Sequence, residues 1–109
     1  MINVLNIRNG NIEFNENTIY CGRTTKHAGQ WIKESVLHNP FKLKNESERV
    51  SVLDKFREYF NQLTQKDRYI KRLKEIHDKH GELNLVCWCS PKPCHCEILK
   101  EMVENYVRT

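Results

Sequence analysis

Three short apolar segments of the chain have the pattern of β-strands. Residues 2–7 alternate apolar and polar side chains, residues 18–21 form a short run that ends at Gly22, and residues 83–88 form a nearly continuous apolar run. Alternation is typical of a strand with one buried face, and a continuous run of this length is typical of a fully buried strand. We therefore predict three strands, of which the third is buried.

Four other segments carry apolar residues at the three- and four-residue spacing of an amphipathic helix. The inward-facing positions are Trp31, Ile32 and Leu37, then Val50, Leu53, Phe56, Phe60 and Leu63, then Tyr69, Ile70, Leu73 and Ile76, and finally Ile98, Leu99, Met102, Val103 and Tyr106. The pattern predicts a short helix over residues 30–37, after a polar loop over residues 24–29. Asn45 is the predicted N-cap of the second helix, with Glu48 reaching back to it, and Gly81 is the predicted end of the third.

Together these elements predict a small α/β layer structure, with a sheet of about three or four strands packed by about three or four helices. At 109 residues the chain is expected to form one domain over residues 1–109. No apolar run reaches the roughly 20 residues of a membrane span, and the first residues lack the basic region and cleavage site of a signal peptide. A cytoplasmic protein without a membrane partner is expected.

Charge changes this picture little. The chain has 18 basic and 14 acidic residues, which gives a net charge of +4. Much of the basic charge lies between Lys66 and Lys79, where acidic residues are interleaved with it. A mixed run of this kind is typical of a solvated helix face, so a nucleic-acid partner is not favoured. Composition leaves the oligomeric state open.

The chemistry of the chain is concentrated in residues 87–96, Cys-Trp-Cys-Ser-Pro-Lys-Pro-Cys-His-Cys, which hold four of the five cysteines. The prolines cannot continue the third strand because proline lacks the N–H that a ladder needs. The sulfurs therefore gather where a strand ends and the last helix begins. At a helix start, unpaired N–H groups and the positive end of the helix dipole favour anions.

One hypothesis for these cysteines is a zinc site. Cys87, Cys89, Cys94 and Cys96 could supply the four thiolates of a closed tetrahedral site. The spacing weighs against this hypothesis, because zinc knuckles usually place two residues between paired cysteines and here one residue separates each pair. We therefore predict no cofactor, with zinc as the alternative.

The other hypothesis is nucleophilic chemistry at the start of the last helix. The helix dipole and Lys92 would lower the pKa of the Cys94 thiol below its ordinary value of about 8.5. His95 would act beside it as a general base or hydrogen-bond donor. Cys87 is expected to be a small buried apolar residue. Cys94 and His95 are thus the predicted catalytic residues.

Polar residues elsewhere in the chain suit an anionic ligand. Gly22 ends a strand and lets a ligand approach the backbone, and the planar guanidinium of Arg23 suits a phosphate or carboxylate. Asn39 offers both a donor and an acceptor, while Arg49, in a first helical turn, is poorly placed for the dipole and would face an anion. The structural alternatives are a carboxylate partner for Arg23 and a turn cap for Asn39. The predicted ligand-binding set is Gly22, Arg23, Asn39, Arg49, Cys89 and Lys92.

The aromatic residues are expected to build the core. Phe56, Tyr59, Phe60 and Tyr69 have the spacing of core and core-edge positions. Trp88, which stands between two cysteines on a strand, is expected to face away from them and to pack under a helix.

Several motifs resemble one known family in order along nearly the whole chain. They are Tyr20-Cys21-Gly22-Arg23, Asn39-Pro40-Phe41, Arg49, and Cys87-Trp88-Cys89-Ser90-Pro91-Lys92-Pro93-Cys94-His95 with Leu99. In these residues the chain resembles the domain-of-unknown-function family 4326, found in bacteria and in phages. It departs from the family in the longer gap over residues 24–38, in His38 where members carry glycine, and in Cys96 where members commonly carry glycine. The resemblance supplies no activity.

The combined prediction is a protein that binds a phosphate-bearing small molecule, a nucleotide or a nucleotide-derived metabolite. The pocket would lie between the turn at Gly22 and Arg23, the turn at Asn39 and the loop from Cys89 to His95. The ligand's glycosidic or phosphoryl bond would be the reacting bond. The alternative function is a structural zinc module that mediates protein or nucleic-acid contacts.

Overall fold

The computed structural model describes residues 1–8, 12, 14–27, 30–33, 35–41, 44–88 and 94–106. The strands are β1 (Ile2–Asn6), β2 (Thr18–Tyr20), β3 (Thr25–His27), β4 (Gln30–Ile32) and β5 (Leu83–Cys87), and the α-helices are α1 (Arg49–Gln62), α2 (Lys66–His80) and α3 (His95–Glu104). Within these residues, no helix is long and apolar enough to cross a membrane.

A parallel sheet of three strands, in the order β1–β5–β2, forms the centre of the fold. β5 pairs with β1 on one side, where Asn6 lies opposite Cys87, and with β2 on the other, where Tyr20 lies opposite Val86. A central parallel strand is buried on both faces, which explains the apolar run of β5. The α/β prediction and the three predicted strands are confirmed.

The sheet separates two apolar clusters. On one face, Leu83, Leu85 and Cys87 belong to one buried cluster with residues of the three helices, including the fully buried Phe56 and Phe60 of α1. The other face is covered by a smaller cluster, which contains Ile7, Tyr20 and Val86 with Leu5, Ile12 and Ile32 against them. Tyr59 and Tyr69 are partly buried at the edge of the larger cluster. The predicted placement of these four helical aromatic residues is therefore confirmed.

The helix ends agree with the sequence at one of two predicted positions. Gly81 ends α2 in the left-handed conformation, with φ of +72°, and its N–H donates to the carbonyl of His77 at 2.7 Å. Glycine adopts this conformation without steric cost. The predicted capping box at Asn45 is wrong, because the Asn45 side chain makes no cap hydrogen bond and a 3₁₀ turn, Glu46–Glu48, precedes α1.

The segment between β2 and α1 differs from prediction. β3 and β4 form an antiparallel ribbon, in which Thr25 lies opposite Ile32. The predicted polar loop over residues 24–29 is therefore wrong at residues 25–27, and the predicted helix over residues 30–37 is wrong at residues 30–32; residues 28, 29 and 34 lie outside the described residues. Ile32 packs on one apolar cluster and Leu37 on the other. One helical face cannot contact both sides of a sheet. Leu37 instead follows a turn in which its N–H donates to Ser35 Oγ at 3.0 Å.

Candidate functional site

A cavity of about 360 Å³ opens at the carboxyl edge of the parallel sheet, and we call it the site cavity. Its lining residues are Gly22, Arg23, Asn39, Phe41, Arg49, Val52, Leu53, Trp88, Cys94 and His95. Six of the predicted site residues are thus brought together from four separate segments of the chain. The other two, Cys89 and Lys92, lie outside the described residues.

The topology of the sheet explains this convergence. β2 and β5 run parallel, so the turn at Gly22 and the start of α3 lie at the same edge. The N–H of Cys21 donates to the carbonyl of Val86 at 2.9 Å, which continues the pairing one residue beyond β2. Ligands of open α/β sheets bind outside the carboxyl ends of the strands.

The turn that follows β2 is built around the hydroxyl of Tyr20. Tyr20 Oη donates to the carbonyl of Arg23 at 2.5 Å and accepts from Trp88 Nε1 at 3.1 Å. Burial raises the pKa of Tyr20, so the hydroxyl keeps its proton and remains a donor. A Cβ on Gly22 would lie 2.4 Å from this hydroxyl oxygen, and the absence of a side chain at Gly22 is therefore a steric requirement.

We expect Gly22→Ala to lower the free energy of unfolding by about 1–3 kcal/mol, as overpacking of a tight contact does. The added methyl group would displace the Tyr20 ring and strain both hydrogen bonds of its hydroxyl. Urea unfolding monitored by circular dichroism measures the change. The control is the same substitution in a Tyr20→Leu background, where the phenol ring that the methyl group meets is absent and the cost should fall. Equal costs in the two backgrounds would contradict this account of Gly22.

Arg23 holds the second turn of the site cavity. Its Nη2 donates to the carbonyl of Asn39 at 2.9 Å, and Asn39 Oδ1 accepts from the N–H of Phe41 at 2.9 Å. The turn-cap alternative for Asn39 is therefore observed, whereas the partner of Arg23 is a carbonyl and not a carboxylate. A guanidinium has five N–H donors, and this contact uses one of them while the positive charge stays at the cavity wall.

Arg49 faces an anion from its own chain. Its Nε and Nη2 contact the two carboxylate oxygens of Glu46 at 2.8 Å and 2.9 Å. The Arg49 side chain is 14% exposed and that of Glu46 is 60% exposed. Glu46 thus offsets the charge of Arg49 at the mouth of the cavity.

The Cys94 thiol lies among other thiols. Its Sγ is 3.2 Å from Cys87 Sγ. The hydrogen bond with Cys87, together with burial, raises the pKa of Cys94 to about 12, although a hydrogen bond with Cys96 acts in the opposite direction. The predicted lowering of this pKa is wrong. Cys94 is the N-cap residue of α3, but its side chain makes no cap hydrogen bond, so the helix N–H groups do not stabilise a thiolate.

His95 is a neutral, buried imidazole. Burial lowers its pKa. Its Nε2 is hydrogen-bonded to the carbonyl of Cys21, and because a carbonyl can only accept, Nε2 carries the hydrogen and Nδ1 a lone pair. The ring packs against Phe56, with centroids 5.2 Å apart. His95 therefore joins the end of β2 to the start of α3 as well as lining the cavity.

Three buried sulfurs form a cluster beneath the site cavity. The Sγ atoms of Cys87, Cys94 and Cys96 all lie within 4.8 Å of one another, so the cluster could hold a metal ion. Burial, followed by hydrogen bonding with Cys21, Cys87 and Cys94, raises the pKa of Cys96. Cys21 was not among the predicted metal ligands, because its proximity depends on the pairing of β2 with β5.

Two aromatic residues of the cavity wall were also missed. Trp88 is 37% exposed, so the prediction that it packs under a helix is wrong. Its indole N–H donates to Tyr20, and the guanidinium carbon of Arg8 lies 5.3 Å from its ring centroid. Phe41 was noted as part of the Asn39-Pro40-Phe41 motif and not as a lining residue. Its position directly after the predicted ligand residue Asn39 was the available signal.

The fold and the site define a small α/β protein with an arginine-bearing cavity at the carboxyl edge of its parallel sheet. The chain belongs to the family described as Domain of unknown function (DUF4326), which it matches over residues 5–105. The family resemblance noted in the sequence is thereby confirmed. No curated protein and no solved structure is found to match the chain.

Proposed function

We propose that this protein binds a phosphate-bearing small molecule, a nucleotide or a nucleotide-derived metabolite, in the site cavity. The observation that carries the proposal is the convergence of Arg23, Asn39 and Arg49 on one cavity with Cys94 and His95. The cytoplasmic location expected from the sequence stays a prediction.

The chemistry of the cavity wall supports this class of ligand. Guanidinium groups bind phosphate oxygens through parallel N–H donors, and Arg23 and Arg49 supply two such groups. Phe41 and Trp88 add aromatic surface suited to the flat face of a base. A volume of about 360 Å³ lies within the range of small-molecule sites.

His95 is the group that we assign to proton transfer if the bound molecule reacts at its glycosidic or phosphoryl bond. The ring is neutral and fixed by its hydrogen bond to Cys21, so its Nδ1 lone pair can accept a proton. Cys94 holds its proton near neutral pH because its pKa is raised to about 12. In this proposal Cys94 forms part of the cavity wall and is not an activated nucleophile.

A matched ligand series tests the proposal. Thermal unfolding of the full chain would be measured at constant ionic strength with nucleosides, their monophosphates and inorganic phosphate. Ligand at 100 times its dissociation constant stabilises the folded state by about 2.7 kcal/mol, so at least one monophosphate should raise the unfolding temperature by several degrees and exceed its nucleoside. Shifts that are absent throughout, or equal for nucleoside and monophosphate, would refute a phosphate-binding site.

A second candidate function is structural zinc binding in a module that mediates protein or nucleic-acid contacts. The observation that favours the zinc is the buried cluster of Cys87, Cys94 and Cys96. Thiolate sulfur is the preferred donor for structural zinc. Metal analysis of the purified chain tests this candidate, and one bound zinc per chain is the expected result.

A further inference from the structure

We propose that Cys21 is the fourth ligand of a closed four-thiolate metal centre, together with Cys87, Cys94 and Cys96. This inference rests on the second candidate function above and changes its ligand set. The spacing of cysteines within residues 87–96 suggested Cys89 for the fourth position, whereas the fold places Cys21 beside the cluster.

The register of the sheet places Cys21 beside the sulfur cluster. Tyr20 pairs with Val86, and the hydrogen bond from the Cys21 N–H to the Val86 carbonyl, at 2.9 Å, continues that pairing. Cys21 therefore lies opposite Cys87 on the neighbouring strand. Residues opposite one another on adjacent strands project to the same face about 4.8 Å apart. Both side chains are buried in the cluster that contacts the helices.

The contacts on the helix side complete the set. Burial raises the pKa of Cys96, in the first turn of α3, and the neighbouring side chains of Cys21, Cys87 and Cys94 raise it further, so Cys96 lies beside all three thiols in the same buried cluster. The four residues come from the ends of β2 and β5 and from the start of α3. All four are buried thiols that form no disulfide. The Cys96 side chain thus lies between the other thiols of the cluster and Cys21, which directly follows β2.

The separations suit a soft divalent cation. In a tetrahedral site with zinc–sulfur bonds of about 2.3 Å, the sulfurs lie about 3.8 Å apart. Cys87 Sγ and Cys94 Sγ are 3.2 Å apart, and the three sulfurs of Cys87, Cys94 and Cys96 lie within 4.8 Å of one another. Small rotations of these three side chains therefore reach the bonding geometry. Cys21 Sγ, which contacts the carbonyl of Ile19 at 3.6 Å, would turn from that carbonyl to take the fourth position. Sulfur donors in a buried setting select zinc over magnesium or calcium, which prefer oxygen.

A metal held by this set would organise the site cavity. Cys21 directly precedes the turn at Gly22 and Arg23, and Cys94 itself lines the cavity. Binding would release the thiol protons to solvent, and the bonds would join β2, β5 and α3 at the edge where the cavity opens. The predicted role of the metal is to hold this edge together.

The experiment uses the full chain loaded with Co²⁺ under reducing conditions, because thiolate-to-cobalt absorption reports the number of sulfur ligands. Cys89→Ser is the decisive variant, since it leaves four of the five cysteines of the chain. We expect it to retain one metal and the wild-type four-thiolate spectrum, which then requires Cys21. Cys21→Ser should lose its metal to a chelator that leaves the wild type loaded.

The outcomes separate the two claims. Loss of metal or of one thiolate contribution in Cys89→Ser would overturn the assignment of Cys21 and leave the zinc candidate standing. A wild-type chain that binds no stoichiometric metal would refute both. Because Cys89→Ser decides the question alone, failure of Cys21→Ser to fold would not obscure it.

Discussion

Replacing His95 by alanine should lower the free energy of unfolding by about 2–4 kcal/mol. The substitution removes the hydrogen bond to the buried carbonyl of Cys21, and leaving such an acceptor unsatisfied costs about 1–3 kcal/mol. It also removes the ring that packs against Phe56, which leaves a cavity in the core. Urea unfolding monitored by circular dichroism gives the change in free energy.

Two variants control this prediction. His95→Gln keeps an N–H donor for the Cys21 carbonyl and should recover part of the loss. His80→Ala removes a histidine at the end of α2 whose contact is with the exposed Glu16, and surface changes of this kind usually stay within about 0.5 kcal/mol. A His95→Ala chain as stable as His80→Ala would show that the imidazole is not part of the folded framework.

The pH dependence of the same variants follows from the lowered pKa of His95. Burial is the main cause of that lowering, and the positive charge of Arg23 acts in the same direction. The unfolded chain therefore binds a proton at this position at higher pH than the folded chain, and stability contributed by neutral His95 is lost as pH falls below about 6.5. The stability advantage of the wild type over His95→Gln should shrink from pH 7 to pH 5.

The sequence predicted the class of fold because its strands and long helices each carry a strong local pattern. The apolar run of β5 and the stripes of α1, α2 and α3 follow from burial against a single core, so periodicity alone identifies them. The order β1–β5–β2 could not be predicted. It depends on pairing between strands that are more than sixty residues apart in the chain.

The errors share a physical cause, which is that local spacing does not reveal which side of the sheet a residue will contact. Ile32 and Leu37 fit one helical face in the sequence but pack on opposite faces of the sheet. Trp88 follows the last residue of β5, so strand alternation no longer fixes its direction, and its indole N–H binds Tyr20.

The sequence predicted which residues line the site cavity better than it predicted their chemistry. Gly22, Arg23, Asn39 and Arg49 were singled out for their functional groups, and all four line one cavity. The pKa of Cys94 was predicted in the wrong direction, because the sequence shows the helix that Cys94 precedes but not the side chains that contact its thiol. The nearby thiol of Cys87 raises the pKa, and this neighbour is set by tertiary structure.

Arg49→Gln should weaken binding of a nucleoside monophosphate by about tenfold to a hundredfold, since a hydrogen bond to a charged group contributes about 1.5–3 kcal/mol. The overall fold should be preserved, because the ion pair with Glu46 joins residues only three apart in sequence and its carboxylate is 60% exposed, and pairs of this kind contribute little to stability. Titration calorimetry at fixed ionic strength measures the affinity. Arg57→Gln is the matched control, because Arg57 lies on the same helix and pairs with Glu101 at 2.9 Å outside the cavity lining.

Glu46→Gln should strengthen monophosphate binding, in contrast to Arg49→Gln. Glu46 accepts hydrogen bonds from two donors of Arg49, so a phosphate must compete with this carboxylate for the guanidinium. Removing the negative charge should strengthen monophosphate binding and leave affinity for the uncharged nucleoside unchanged. If Glu46→Gln weakened binding as much as Arg49→Gln, the carboxylate would be a positioning group that orients Arg49. Opposite signs in the two variants would show that Glu46 and the ligand phosphate are alternative partners of one arginine.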